Sequence, residues 1–141
     1  MIRKLILIAV LSMLACISIA VEPKDDPDHL KYKMTKVVNV TVTTASTRSD
    51  YDPEEDCATF VIKPKLATFF FNHSRPVSNW DRMHLYDFSS CYAKGKVKFA
   101  NGDEATWTIQ RGGIAFIGML HGELKDKVII LHCEKCEDWD L

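Results

Sequence analysis

From Cys91 to Cys133 the chain carries four β-like runs spaced as hairpins, and that spacing restricts it to an antiparallel sheet. The runs are Cys91–Phe99, Asp103–Gln110, Gly113–Leu120 and Lys127–Cys133. Asn101-Gly102, Arg111-Gly112 and the loop His121–Asp126 part them, which describes a four-stranded meander. The first hairpin also has a legible register. A two-residue turn at Asn101-Gly102 mixes apolar and polar side chains on both faces. A three-residue loop over Ala100-Asn101-Gly102, with Gly102 in the left-handed bulge position, shifts the pairing by one residue. Val97 then faces Ala105, Gly95 faces Trp107 and Ala93 faces Ile109. On the reverse side Lys98 meets Glu104, Lys96 meets Thr106 and Lys94 meets Thr108. That register separates a core face from a solvent face, so it is the one predicted.

The last two runs are apolar on both faces, with Ile114, Phe116 and Leu120 alternating with Ala115, Ile117 and Met119. Such strands lie inside a double-layered core or present one face to a partner. Upstream, Val38, Val40 and Val42 alternate with Asn39, Thr41 and Thr43 as a half-buried strand. Cys57–Lys63 and Leu66–Asn72 read as two further β-rich runs split by Pro64-Lys65. Ser78 with Asp81 offers a cap for a short helix over 79–85, although Leu85–Ser89 also has strand character. No stretch shows helical amphipathicity of useful length. The expected fold is therefore all-β, an antiparallel sandwich or partly closed barrel with at most one short helix.

The N-terminus predicts where the chain works. Met1-Ile2-Arg3-Lys4 is a positive start, and Leu5–Ile17 is an apolar run too short to span a bilayer. Ser18-Ile19-Ala20 then gives small residues at a cleavage site. Residues 1–20 read as a secretory signal, 21–34 as an exposed lead-in with Pro23 and Pro27, and 35–141 as a single domain. The expected location is periplasmic or secreted. The alternative is a lipid anchor through Cys16, since Ser12–Cys16 fits a loose lipobox. Losing Arg3 and Lys4 leaves 16 basic against 19 acidic residues, a formal charge of −3. Nucleic acid and anionic lipid demand the opposite balance, and no second apolar run approaches a membrane span.

Four cysteines remain after the signal: Cys57, Cys91, Cys133 and Cys136. An even count in an exported chain reads as two disulfides. Cys133-Glu134-Lys135-Cys136 lacks the following helix that a redox pair needs, and Glu137 stands where a haem site needs histidine. Zinc through Cys133, Cys136 and two of Cys57, Cys91 and His132 competes with oxidation of the same thiols. No metal and no cofactor are expected. Bridges from Cys57 and Cys91 to Cys133 and Cys136 close the longest loops and constrain the unfolded chain by roughly 3–4 kcal/mol. That long-range pairing is predicted.

No catalytic motif occurs, so the chain reads as non-enzymatic. His29, His73, His84, His121 and His132 are scattered, and Asp50, Asp52 and Glu54 lack the glycine of a calcium loop, with Glu55 at that place. Two acidic segments each hold an aromatic residue: Asp50, Tyr51, Asp52, Glu54, Glu55 and Asp56, and the tail Glu137, Asp138, Trp139 and Asp140. A ring among acids is suited to a basic protein surface, the ring supplying burial and the acids steering.

Cys91-Tyr92-Ala93-x-Gly95-x-Val97, Asn101-Gly102, Trp107-x-Ile109 and Leu131-x-Cys133-x-x-Cys136 together resemble the C-terminal half of small exported bacterial proteins, mostly of unassigned role. In size, export signal and disulfides the chain is similar to periplasmic immunity proteins and lysozyme inhibitors. The resemblance implies an envelope protein that binds and neutralises another protein, a toxin or cell-wall hydrolase. The alternative is a structural or accessory envelope protein that forms a homodimer or larger oligomer through its apolar C-terminal strands.

Overall fold

The computed structural model describes residues 32–139. The predicted signal, Cys16, most of the predicted lead-in and Asp140 lie outside the described residues. Strands β1 (Val37–Arg48), β2 (Arg75–Val77), β3 (Cys91–Phe99), β4 (Glu104–Gln110), β5 (Ile114–Met119) and β6 (Val128–His132) form one sheet. Its order is β1-β3-β4-β5-β6-β2, all neighbours antiparallel, and it does not close into a barrel. Helices α1 (Pro64–His73) and α2 (Asn79–Leu85) and a 3-10 turn over Glu134–Cys136 complete it. The antiparallel β class and the meander stand as expected. Among the described residues the α-helices number two rather than at most one.

The first hairpin takes the predicted register pair by pair, from Ala93–Ile109 to Lys98–Glu104. Gly102 has φ +90°, and its N–H donates to Phe99 O at 3.0 Å, closing the three-residue loop. Gly95 answers a different need. A Cβ there would stand 2.0 Å from Thr41 O and 2.4 Å from the Trp107 ring, so the indole lies directly over the glycine. Trp107 is buried with Ala93, Val97, Phe99, Ile109, Ile117 and Leu131 on this face of the sheet.

The layer over that core face departs from expectation. The run 57–63 is turn and extended chain that buries Phe60 and Ile62 and is tied to the edge of β1 by Ile62 N–H to Ala45 O at 2.9 Å and by Ser46 Oγ to Cys57 O at 3.3 Å. Leu66–Asn72, read as a strand, belongs to α1. Pro64 is not a divider between strands but the first residue of the helix, where its missing N–H has no partner to lose. Ala67, Phe70 and Phe71 then recur at helical spacing and are the residues α1 buries. α2 forms where its cap predicts, with the Asp81 N–H donating to Ser78 Oγ at 2.9 Å.

The disulfide pairing also differs. Cys57 is bonded to Cys91 and Cys133 to Cys136, so the long-range bridges to the tail do not form. Sheet order explains this. Cys91 opens β3 and Cys133 follows β6, and three strand spacings of about 4.8 Å lie between, beyond the Cα reach of a disulfide.

The lead-in is packed at its end. Tyr32 and Met34 lie against the core, and the Tyr32 hydroxyl donates to Asp103 Oδ2 at 3.0 Å. Burial, then the adjacent Asp103 carboxylate, raise the Tyr32 pKa. Both sheet edges are blunted. β1 has three register breaks and its first N–H donates to Asn72 Oδ1, while β2 has three residues with Pro76 among them.

Candidate protein-binding surface

The acidic loop after β1 is held against the end of the sheet where β3 begins and β4 stops. Ser49 N–H donates to Ser90 O at 2.9 Å, and Asp52 N–H donates to Ser90 Oγ at 2.6 Å. The Cys57–Cys91 bridge fixes its far end. Glu55 is the centre of this attachment. Its carboxylate accepts from Ser89 Oγ at 2.7 Å, from the Ser90 N–H and from Arg111 Nη1 at 3.3 Å. Arg111 also donates to Asp56 O at 2.9 Å and to Thr59 Oγ1 at 3.3 Å. Burial pushes the Glu55 carboxyl up, but the Ser89 hydroxyl, the Ser90 amide and the Arg111 guanidinium outweigh it and hold its pKa below the ordinary range. Glu55 is thus an internal anchor, placed so that its neighbours are presented outward.

Asp50, Tyr51, Asp52, Glu54 and Asp56 are exposed. Tyr51 leaves 72% of its surface in water, and its ring lies 6.1 Å from Phe88, itself 38% exposed. Two short turns keep this loop in shape: Glu54 N–H donates to Asp52 Oδ1 and Ala58 N–H to Asp56 Oδ1. A fixed loop that holds a large ring in water has already met the ordering cost of binding.

The tail is divided. Glu137 and Asp138 are exposed, but Trp139 packs its ring 6.0 Å from Phe69 and 6.0 Å from Phe70, capping the core beside α1. Glu137 Oε1 bonds the buried His132 Nε2 at 2.6 Å, and His132 stacks on Tyr86 at 3.9 Å. The strand directions set this tail at the same end of the sheet as the acidic loop, where β5 begins and β6 stops. The Cys133 N–H donates to Gly113 O there. So the fold brings the acids of both segments to one pole but withdraws Trp139 from it.

Other apolar side chains take that place, and sequence reading missed them. α2 buries none of its residues, and Trp80, Met83 and Leu85 are 44%, 52% and 60% exposed. Arg82 ties the helix down, its guanidinium 4.8 Å from the Phe88 ring and 4.9 Å from the Phe116 ring. Tyr51, Phe88 and the outer side of α2 therefore follow one another along the surface. A seven-residue helix with alternate signals for strand gives no amphipathic pattern to read.

The apolar C-terminal strands bury one face, through Ala115, Ile117, Met119, Ile129 and Leu131. On the other, Phe116 is half-buried beneath Arg82, and Val128 is 57% exposed. Among the described residues no group of three or more His, Cys, Asp or Glu is placed to hold a metal, and no helix is long and apolar enough to cross a membrane. Comparison with protein-family models, with curated proteins and with solved structures finds no match.

Proposed function

We propose that this chain is an exported, non-catalytic envelope protein that binds and neutralises another protein through its acidic, aromatic pole. The partner is a basic protein, a toxin or cell-wall hydrolase. The observation that carries the reading is Tyr51, 72% exposed on a loop that Glu55, Ser90 and a disulfide fix in place, with Asp50, Asp52 and Glu54 around it. Exposed rings at the centre of a fixed patch are where binding free energy concentrates, and surrounding acids accelerate encounter with a cation-rich surface. Two disulfides fit an oxidising compartment, which supports export.

The test is inhibition. The mature chain is titrated into cationic cell-wall hydrolases, and into the toxin encoded beside its gene if there is one. A stoichiometric complex with loss of the enzyme's activity is expected. Tyr51→Ala weakens that complex by about 2 kcal/mol or more, and Asp50→Asn with Asp52→Asn slows association mainly at low salt. Titrations that leave every such enzyme fully active sink the reading.

A further inference from the structure

Among the described residues, the solvent face of the sheet is covered only where α2 and Tyr86 after it sit over β5 and β6. Over β1, β3 and β4 it is open, and alternation along β3 sets the exposed Lys94, Lys96 and Lys98 on it. Successive lysines on such a strand stand about 7 Å apart. The cross-strand register decides what flanks each. Lys98 faces Glu104 and contacts its carboxylate at 3.4 Å, so its charge is matched. Lys96 lies between Thr41 and Thr106, and Lys94 beside Thr108. Among the described residues Lys96 and those three hydroxyls have no side-chain hydrogen bond or ion pair.

The Thr41–Lys96–Thr106 row continues to Gly118 and then Val128. A Cβ at Gly118 would stand 3.1 Å from Thr106 Oγ1, so the glycine leaves a notch beside that hydroxyl. An open trough of about 410 Å³ lies there, lined by Lys94, Lys96, Thr106, Thr108, Gly118 and Val128, with Thr41 outside it on the far side of Lys96.

The geometry points to a binding trough for a linear phosphate polymer, with Lys96 and Thr106 taking one phosphate group and Lys94 with Thr108 another. An ammonium beside a hydroxyl offers several donors to one oxyanion, which charge assistance strengthens. Two such positions about 7 Å apart are both filled only by a ligand whose anions recur. A peptide finds no main-chain partners here, because the interior strands use theirs in the ladder. Single-stranded nucleic acid needs free rings for stacking. Phe116 already lies beneath Arg82, and Tyr92 alone, once Lys94 leaves it for a phosphate, gives no row of rings for successive bases. A phosphate polymer needs side-chain donors alone. This trough is separate from the acidic pole and does not rest on the partner proposed for it.

The experiment is calorimetric titration of the mature chain with long-chain inorganic polyphosphate at low salt. Binding is expected, with pyrophosphate, too short to reach both positions, binding far more weakly. Lys96→Gln and Lys94→Gln each weaken the polymer about tenfold, and Gly118→Val, which fills the notch, weakens it similarly. Lys125→Gln, the same charge lost from an exposed loop, leaves affinity unchanged. If Gly118→Val lowers the melting temperature, the two lysine variants decide alone. Absence of binding overturns the proposal, as does unchanged affinity in the Lys94→Gln/Lys96→Gln double variant. An equal loss in Lys125→Gln overturns it too, by reducing the effect to net charge. Equally tight binding of an oligonucleotide, an acidic peptide or anionic lipid vesicles assigns the face to that partner instead.

Discussion

Glu55 is half-buried at the end of the sheet where β3 begins. It stands among acids in a loop, yet it alone of that group is drawn in to accept from Ser89, Ser90 and Arg111. Its pKa is depressed by those donors, so its contribution to stability is present above the ordinary carboxylate range. That contribution is lost as pH falls through the folded-state value. Urea unfolding at stepped pH should therefore show a fall in stability below about pH 4.5, the value the group takes when free. Glu55→Gln should flatten that slope and lower stability at neutral pH, because Arg111 is left without its carboxylate. A variant with the parent's acid profile would show that other carboxylates govern it. Gly95 makes the complementary point about backbone. With Thr41 O and the Trp107 ring in the space a Cβ would take, Gly95→Ala forces the β1–β3 spacing or the indole to move. A loss of about 1–3 kcal/mol is expected by urea titration, the range for overpacking. An unchanged midpoint would mean the ring repacks freely.

At the scale of elements, the two disulfides have unequal roles. Cys57–Cys91 spans 34 residues of sequence and Cys133–Cys136 spans 3. Loop-closure entropy assigns the first about 3–4 kcal/mol and the second about 2 kcal/mol, before any native strain. Paired replacement of Cys57 and Cys91 by Ala should therefore lower the melting temperature in oxidising buffer about twice as far as the same change at Cys133 and Cys136. Equal shifts would show that packing, not chain constraint, sets both effects. The acidic loop should also lose protection from amide exchange in the first variant, since the bridge holds its end. The α1 segment shows a second ambiguity of elements. Thr68-Phe69-Phe70-Phe71 has strand-like composition, but only ten residues with Pro64 at the start form the helix, too few for propensity to announce it. Contact with the sheet decides: Phe70 and Phe71 are fully enclosed, and Phe71 meets both Phe99 and Trp107 edge-on.

For the whole molecule, what was legible in the sequence was what strict alternation encodes. The meander, its boundaries, the hairpin register and the inward direction of Cys91 all follow from the period of two, because a slip by one residue would turn apolar side chains into water. The lysines of the open face followed from the same rule. The even cysteine count, read with a predicted export signal, foretold two disulfides without their pairing. Pairing depends on distance, and distance depends on sheet order, in which three strand spacings separate Cys91 from Cys133. The surface was the least legible part. Tyr51 and Trp139 sit in similar acidic surroundings along the chain, yet one is left in water beside Phe88 and the other closes the core over Phe69 and Phe70. Local sequence determined which residues alternate, where turns fall and where a helix can start. Only the tertiary structure decided which aromatic rings and which acids remain outside, because exposure is set by what a distant segment covers.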